Sequence, residues 1–415
     1  MSLRNVQALT PTIRMLDIAE RGAFLDAVWR AFGWPPREPE VDEALGAALE
    51  PERTLVATED GEIIGTAGAY SLRMTVPGGA LRSFAAVTMV SVAPTHRRRG
   101  VLTMLMHQQL EELGQGGEAT AALWASEPAI YQRFGFGLGA WRQSLSVDVA
   151  HAAYGPRGQA LVESFQGRLR RVTWPADAGL LQRVLTHTVA TRSGLLERPR
   201  QHWNRLMRSG GEIVLAEGPD GEPLGYSVHR VTDGVDGFSP AGTVTVLEVT
   251  APSPVTLAVL WRQLLDTDLV STLKATNRPL PEPLAHLLVD HRRMRGTVGD
   301  SLWVRVVDLP RALAERAFAA PLDLVLEVED TLLPGNTGRW RIAVPVAGAA
   351  AVTSRTEAPP DLTLDIADLG AAHLGGITLA ELSLAGRVLE RTPGALTAAS
   401  TAWSWSPTPW CPEIF

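Results

Sequence analysis

An α/β (α+β) fold in three consecutive domains is predicted by three observations. The chain has 415 residues, more than one hydrophobic core normally spans. Short apolar runs that alternate like strands are interleaved with runs of helical period. A pair of motifs from the first hundred or so residues returns in the middle of the chain, and a third pattern, richer in strands, takes over near Asp300.

Bulk composition excludes several classes of function. Apolar residues make up 45% and charged residues 20%, the balance of an ordinary globular protein. The formal net charge of −7 argues against nucleic acid as the main partner and is compatible with a cationic substrate. Cys411 is the only cysteine, so no internal disulfide forms. Metal-ligand spacings are absent, so no metal is expected. The amino end lacks a signal pattern and no run is long enough to span a bilayer, so a cytoplasmic location off the membrane is expected.

In chain order, residues up to about Glu50 read as helical. Phe24, Leu25, Val28, Trp29 and Phe32 form an apolar stripe that Pro35 and Pro36 close. Most of these aromatics read as core; Trp34, beside the prolines, is the best candidate to line a pocket. Leu55–Thr58 and Ile63–Tyr70 read as strands joined through Asp60-Gly61, a hairpin signal. Another strand pair surrounds Val76-Pro77-Gly78-Gly79. Ala121–Ala125 is a strand, Glu127-Pro128 opens a short helix carrying Tyr131, and Gln143–Val149 reads as the strand that closes a first domain over 1–150.

The most informative stretch is Ala86–Leu113. Ala86–Val92 is an uncharged, β-branched run that Pro94 ends. His96, Arg97, Arg98, Arg99 and Gly100 follow. Then Leu102, Leu105, Met106, Leu110 and Leu113 share one helical face, with Gln108, Gln109, Glu111 and Glu112 expected on the other. The first amides of a helix lack intrahelical partners and carry the positive end of the dipole. Gly100 permits close approach and the arginines add full charges. A diphosphate is a natural guest; the alternative is a solvated basic loop. Neither the Walker nor the dinucleotide glycine pattern is present.

Asp60-Gly61-Glu62-Ile63-Ile64-Gly65 recurs as Asp220-Gly221-Glu222-Pro223-Leu224-Gly225. Val90-Ser91-Val92-Ala93-Pro94 recurs as Glu248-Val249-Thr250-Ala251-Pro252, with an apolar helix after each. The second copy has Ser253-Pro254-Val255-Thr256 where the first has His96–Arg99, so it lacks both the cation run and the glycine. A second domain over 151–299 therefore repeats the first without its anion site. From 300 to 415, strands are expected at Ser301–Val307, Asp323–Val328, Trp340–Val344 and Leu362–Ile366, with a turn-rich helical piece from Asp368 to Gly376. The tail from Trp403 to Phe415 holds three tryptophans and three prolines, and is expected to be docked rather than loose.

V-S-V-A-P-T-H-R-R-R-G-V-L, over 90–102, resembles the coenzyme-A signature of the GCN5-related N-acetyltransferases (GNAT), written R/Q-x-x-G-x-G/A. Arg97 and Gly100 match, and Leu102 stands where that signature ends in glycine or alanine. That departure, the motif S-E-P-A-I-Y-Q-R-F-G-F-G over 126–137 and the terminal Phe415 resemble the actinobacterial "enhanced intracellular survival" (Eis) branch. The resemblance implies tandem GNAT domains, the second degenerate, followed by a sterol-carrier-protein-like domain that delivers the carboxy terminus to the active site.

It also implies acetyl-CoA as cosubstrate and a primary amine, aminoglycoside or lysine-like, as acceptor. Backbone groups of Val90, Ser91 and Val92 would pair with the pantetheine arm. Amides of Arg98, Arg99, Gly100, Val101, Leu102 and Thr103 would hold the pyrophosphate, and Ser126 and Glu127 would flank the thioester. Tyr131 would be the general acid and the α-carboxylate of Phe415 the general base. A free carboxyl terminus has a pKa of about 3.5, a poor base in water that burial would improve. Related proteins often carry an acid just before the terminal Phe; here Ile414 is there and Glu413 is displaced by one. A symmetric homo-oligomer, hexameric in the family, is implied as well. Two other readings compete: a protein-lysine acetyltransferase, and a non-catalytic lipid carrier built on the last domain.

Overall fold

The computed structural model describes residues 11–415; the part of the helical reading that falls on 1–10 lies outside them. The described part of that reading is only half right. The chain first forms β1 (Thr12–Met15), then α1 (Arg21–Phe32) and α2 (Pro39–Ala48). Four residues of β1 pair with the next strand and carry too short a pattern to distinguish from helix.

The first repeat continues with β2 (Thr54–Glu59), β3 (Glu62–Thr75), β4 (Leu81–Val92), α3 (Val101–Gln115), β5 (Thr120–Trp124), α4 (Pro128–Tyr131), β6 (Phe136–Leu138) and β7 (Trp141–Asp148). The Asp60-Gly61 hairpin joins β2 to β3, and the Val76–Gly79 turn joins β3 to β4. On α3, Leu105, Met106, Leu110 and Leu113 are buried as expected. Gln109 does not point away: it is 3% exposed, and its amide donates to the Gly68 carbonyl at 3.1 Å. That bond offsets part of the cost of burying the amide, whose Oε1 is buried without a partner among the described residues.

The second repeat comprises α5 (Pro156–Glu163), β8 (Arg168–Val172), α6 (Ala178–Val189), α7 (Arg200–Arg208), β9 (Glu212–Glu217), β10 (Pro223–Thr232), a small ribbon of β11 (Val235–Asp236) and β12 (Ser239–Pro240), β13 (Gly242–Thr250), α8 (Pro254–Leu265), β14 (Val270–Arg278), α9 (Leu284–Leu287), β15 (Met294–Asp300) and β16 (Leu302–Val306). The sheets have matching orders: β1-β2-β3-β4-β5-β16-β6 and β8-β9-β10-β13-β14-β7-β15. The internal repeat read from sequence is thus a repeat of topology.

Two strands sit where the linear reading did not put them. Gln143–Val149 does not close the first sheet: β7 lies between β14 and β15 of the second. Ser301–Val307 does not open the third unit: β16 lies between β5 and β6 of the first. The connections explain the exchange. Only Gly139 and Ala140 separate β6 from β7, and only Ser301 separates β15 from β16. A tight hairpin needs positive φ in its central residues, and none of these three has it. Each chain therefore runs straight on into the neighbouring sheet. They cross side by side, the Ser301 amide donating to the Ala140 carbonyl at 3.0 Å.

The third unit holds α10 (Leu309–Glu315), β17 (Leu322–Glu329), β18 (Gly338–Val344), β19 (Val352–Arg355), β20 (Leu362–Asp365), α11 (Ile366–Ala372), α12 (Leu379–Leu384), β21 (Val388–Glu390) and α13 (Ala395–Trp403). Its sheet order is β19-β18-β17-β20-β21. Phe318, Trp340 and Trp403 lie in its core. The tail after α13 is docked, with Trp410, Cys411, Glu413 and Phe415 all buried.

Candidate active site

β4 and β5 are parallel, but they pair only at Ala85–Ala121 and Ala86–Ala122. Beyond Ala86 the strands separate, so the edge of β4 that faces β5 carries backbone groups without a strand partner. A bulge sharpens the divergence. The β3–β4 register shifts between Thr66 and Gly68, and Met89 adopts a φ of 51°. Thr66 pins the bulge by donating to the Met89 carbonyl at 2.7 Å and meeting the Ser91 hydroxyl at 2.7 Å. In the second repeat β13 pairs with β14 from Gly242 to Val246, and Leu247–Thr250 run on without a β14 partner.

After β4 the chain turns through Arg98 (φ 62°) and Gly100 (φ 85°) into α3. Gly100 is the N-cap and supplies no side-chain cap, so the amides of the first turn face outward unfilled. The corresponding helix α8 starts with Pro254 in its first turn, which removes one of those donors.

The opening and the turn share one cavity of about 700 Å³. Val90, Ser91 and Val92 line one side; Arg98, Gly100, Val101, Leu102 and Thr103 line another; Ser126, Glu127 and Tyr131 close it. Ten of the eleven coenzyme-site candidates are therefore brought together. Arg99 is not among the lining residues; its guanidinium turns to Glu59 at 2.6 Å. Arg99 together with His96 holds the Glu59 carboxyl below its usual range, so one cation of the run is neutralised locally. Sequence reasoning missed Arg133, Ala31 and Phe32, which also line the cavity. Trp34 instead stacks on Phe32 at 4.6 Å and stays half exposed.

Tyr131 ends α4, with its ring edge-on to Phe136 at 5.9 Å. Burial first, and then the nearby Glu127 charge, push its phenol up to about 12. It packs with Ala85, Val87, Ala121 and Leu123. Phe415 packs with Phe84, Ala86 and Ala122, on the other parity of the same strands. Successive strand residues face opposite sides, so Tyr131 and Phe415 lie on opposite faces of the first sheet. The divergence of β4 from β5 is the gap between those faces. Sequence had no means of showing that the two residues approach the gap from opposite sides.

Comparison with known proteins decides the family. A family described as "Acetyltransferase (GNAT) domain" matches residues 12–139, another of the same description matches 194–306, and "Sterol carrier protein domain" matches 309–412. An N-acetyltransferase of Streptomyces avermitilis is 43% identical, covering 98% of this chain and all of that one. N-acetyltransferase Eis of Mycobacterium tuberculosis is 31% identical over 85% of this chain and 88% of its own. The chain belongs to the Eis-like acetyltransferases of the GNAT superfamily. The crystal structure of Eis1 from Mycobacterium abscessus superposes with a TM-score of 0.83 at 33% identity, over 97% of this chain and all of that one. The protein is an acetyltransferase built from two GNAT domains and a sterol-carrier-type domain.

Proposed function

We propose that this Eis-like enzyme transfers the acetyl group of acetyl-CoA directly to a primary amine of an aminoglycoside or a lysine-like acceptor. The observation that carries this reading is the cavity in which unpaired β4 backbone, the open first turn of α3 and Tyr131 converge. Its fit to a coenzyme is chemical. Arg97, Arg98 and Arg133 supply positive charge for phosphates, and the free edge of β4 supplies strand-like donors and acceptors for an amide-bearing arm.

In this mechanism the acceptor nitrogen forms a bond to the acetyl carbon as the carbon–sulfur bond breaks. Tyr131 donates its proton to the departing sulfur. The Phe415 carboxylate takes the proton that the amine loses, directly or through a water. With the Tyr131 phenol near 12 and a thiol near 8.5, donation is uphill unless the proton moves as the sulfur gains charge. Among the described residues the first sheet stands between the two groups everywhere except at the divergence of its strands, so acid and base act from opposite sides of the thioester. Assembly as a symmetric homohexamer belongs to the same reading; exposed Val235 and Phe238 on the β11–β12 ribbon support burial between copies, and light scattering in solution tests it. The carrier reading requires an apolar cavity in the third unit, where Phe318 and Trp403 instead pack edge-on at 4.8 Å.

The test is acetyl-CoA consumption across a panel of aminoglycosides, small amines and lysine peptides, with the intact chain, Tyr131→Ala and a chain lacking Phe415. Transfer by the intact chain with loss in both variants is expected. Absence of acetyl-CoA binding by calorimetry, or full activity of both variants, overturns the reading.

A further inference from the structure

Glu413 lies two residues before the chain's end and is buried, its side chain 5% exposed. The guanidinium of Arg198, 2% exposed, reaches its Oε1 at 2.5 Å. The same guanidinium meets Glu248 at 2.8 Å and lies over the Trp203 ring at 4.4 Å. Glu248 has donors of its own in the hydroxyls of Tyr226 and Thr250. Among the described residues no other side chain donates to Glu413 besides Arg198, and its Oε2 is buried without a partner.

The rest of the tail is fastened to the second repeat as well. Thr408 donates to the Leu280 carbonyl at 2.7 Å, the Trp410 amide to Ser193 at 2.9 Å, and Asn277 to the carbonyls of Cys411 and Pro412 at 3.2 and 2.8 Å. Arg198 itself follows a stretch zipped onto the first sheet: Leu196 bridges Met74, and the Glu197 amide donates to Arg73 at 3.0 Å. Past Pro412, Ile414 is 45% exposed, and the Phe415 ring touches Phe84 edge-on at 5.9 Å. The last three residues are thus held by this ion pair, by the Cys411 thiol donating to the Glu413 carbonyl at 3.2 Å and by the packing of the Phe415 ring, and the ion pair is their one charged anchor among the described residues. Without Arg198, two carboxylates would share a dry site. Glu413, the one with no other donor, would leave for water and take Phe415 with it.

We infer that Arg198, contributed by the repeat that lacks the coenzyme turn, is a positioning residue for the transfer: its pair with Glu413 holds the Phe415 carboxylate against the first sheet. This rests on the reading of that carboxylate as the base. It assigns the degenerate domain a task, to clamp the tail of the third unit onto the first. It also accounts for the acid displaced by one position, which faces inward as an anchor.

The test compares full-length wild type, Arg198→Met, Arg198→Lys, Glu413→Lys and a chain lacking Phe415. Glu413→Lys leaves Arg198, Glu248 and Tyr226 in place, so it keeps the test open if Arg198→Met fails to fold. Two readouts are taken: release of Phe415 by a carboxypeptidase, and kcat and KM with acetyl-CoA and an aminoglycoside as probes. Release at least roughly tenfold faster in Arg198→Met and Glu413→Lys is expected, with kcat down by about tenfold or more, KM for acetyl-CoA unchanged and partial rescue in Arg198→Lys. Release at the wild-type rate overturns the inference. So does wild-type kcat in both anchor variants when the chain lacking Phe415 is impaired. Full activity of the chain lacking Phe415 instead overturns the carboxylate reading and, with it, the positioning role.

Discussion

At the scale of single residues, burial decides what each polar group can do. A phenol pushed up to about 12 by desolvation stays protonated throughout the neutral range. The expected consequence is that Tyr131→Phe lowers kcat by about 100-fold or more while calorimetry finds acetyl-CoA binding intact. Because the shift is upward, no alkaline loss of kcat/KM from ionisation of Tyr131 in the free enzyme is expected below about pH 11; a limb near pH 10 assigned to it would contradict its burial. Arg316 shows the other use of a buried polar group. Burial draws its guanidinium down to about 9, and no carboxylate pairs with it among the described residues. It donates to the carbonyls of Ala372, which ends α11, of His373 just after it, and of Trp403, which ends α13. Those carbonyls have no intrahelical donor, and the charge suits the negative helix ends. Arg316→Met is expected to cost about 3 kcal/mol in urea unfolding, since it removes the guanidinium from the His373 and Trp403 carbonyls and leaves Ala372 only the Gly375 amide.

At the scale of elements, close backbone packing ties the third unit to the first sheet. Gly137 on β6 lies against α11 so tightly that a Cβ there would sit 1.8 Å from the Ala367 carbonyl oxygen. That is a backbone obstacle, with no flexible side chain to give way. Gly137→Ala is expected to destabilise by several kcal/mol or to prevent soluble expression, and thermal unfolding measures it. The first turn of α3 is the other critical element. Gly100 has open space for a Cβ, so the strain of Gly100→Ala comes from its φ of 85°. About 1 kcal/mol of backbone cost is expected to appear as several-fold weaker acetyl-CoA binding in calorimetry, with little change in the rest of the fold.

At the scale of the whole molecule, the exchange of β7 and β16 makes the two repeats interdependent. A fragment of residues 1–150 lacks the strand that joins β5 to β6, leaving both with exposed edges. It is expected to aggregate or stay unfolded, and a cooperative far-ultraviolet transition in that fragment would contradict the exchange. Acid stability is also a property of the whole. Burial, then neighbouring Arg205 and Arg198, lower His202 to about 4; burial, then Arg316, lowers His373 to about 3. Both are neutral when folded, and an unfolded imidazole near 6.5 takes up a proton first. Stability is therefore fully present above about pH 6.5 and is lost as pH falls through the folded values. Urea midpoints measured between pH 7 and 3 are expected to fall steadily, and His373→Leu is expected to flatten the lowest part of that curve.

Local chemistry was legible from the sequence alone. The hairpin at Asp60-Gly61, the glycine-capped basic turn before α3, the Tyr131 helix and the repeated motifs depend on neighbours in sequence, and each is where it was expected. Glu248, read only as part of the repeated motif, is a buried acid that has to be paired, and the sequence had no means of naming Arg198 as its partner. Nor did alternation reveal which sheet would take β7 or β16, because both read as half-buried strands in any register. Those choices follow from straight two-residue and one-residue links that carry the chain across, and from contacts between segments hundreds of residues apart. The sequence by itself determined most of the elements beyond Glu50 and the glycine-capped basic turn, since torsional preference and apolar period are local. Only the tertiary structure decided the strand exchange, the two-faced placement of Tyr131 and Phe415, and the clamp on the tail, since pairing and burial are properties of the packed chain.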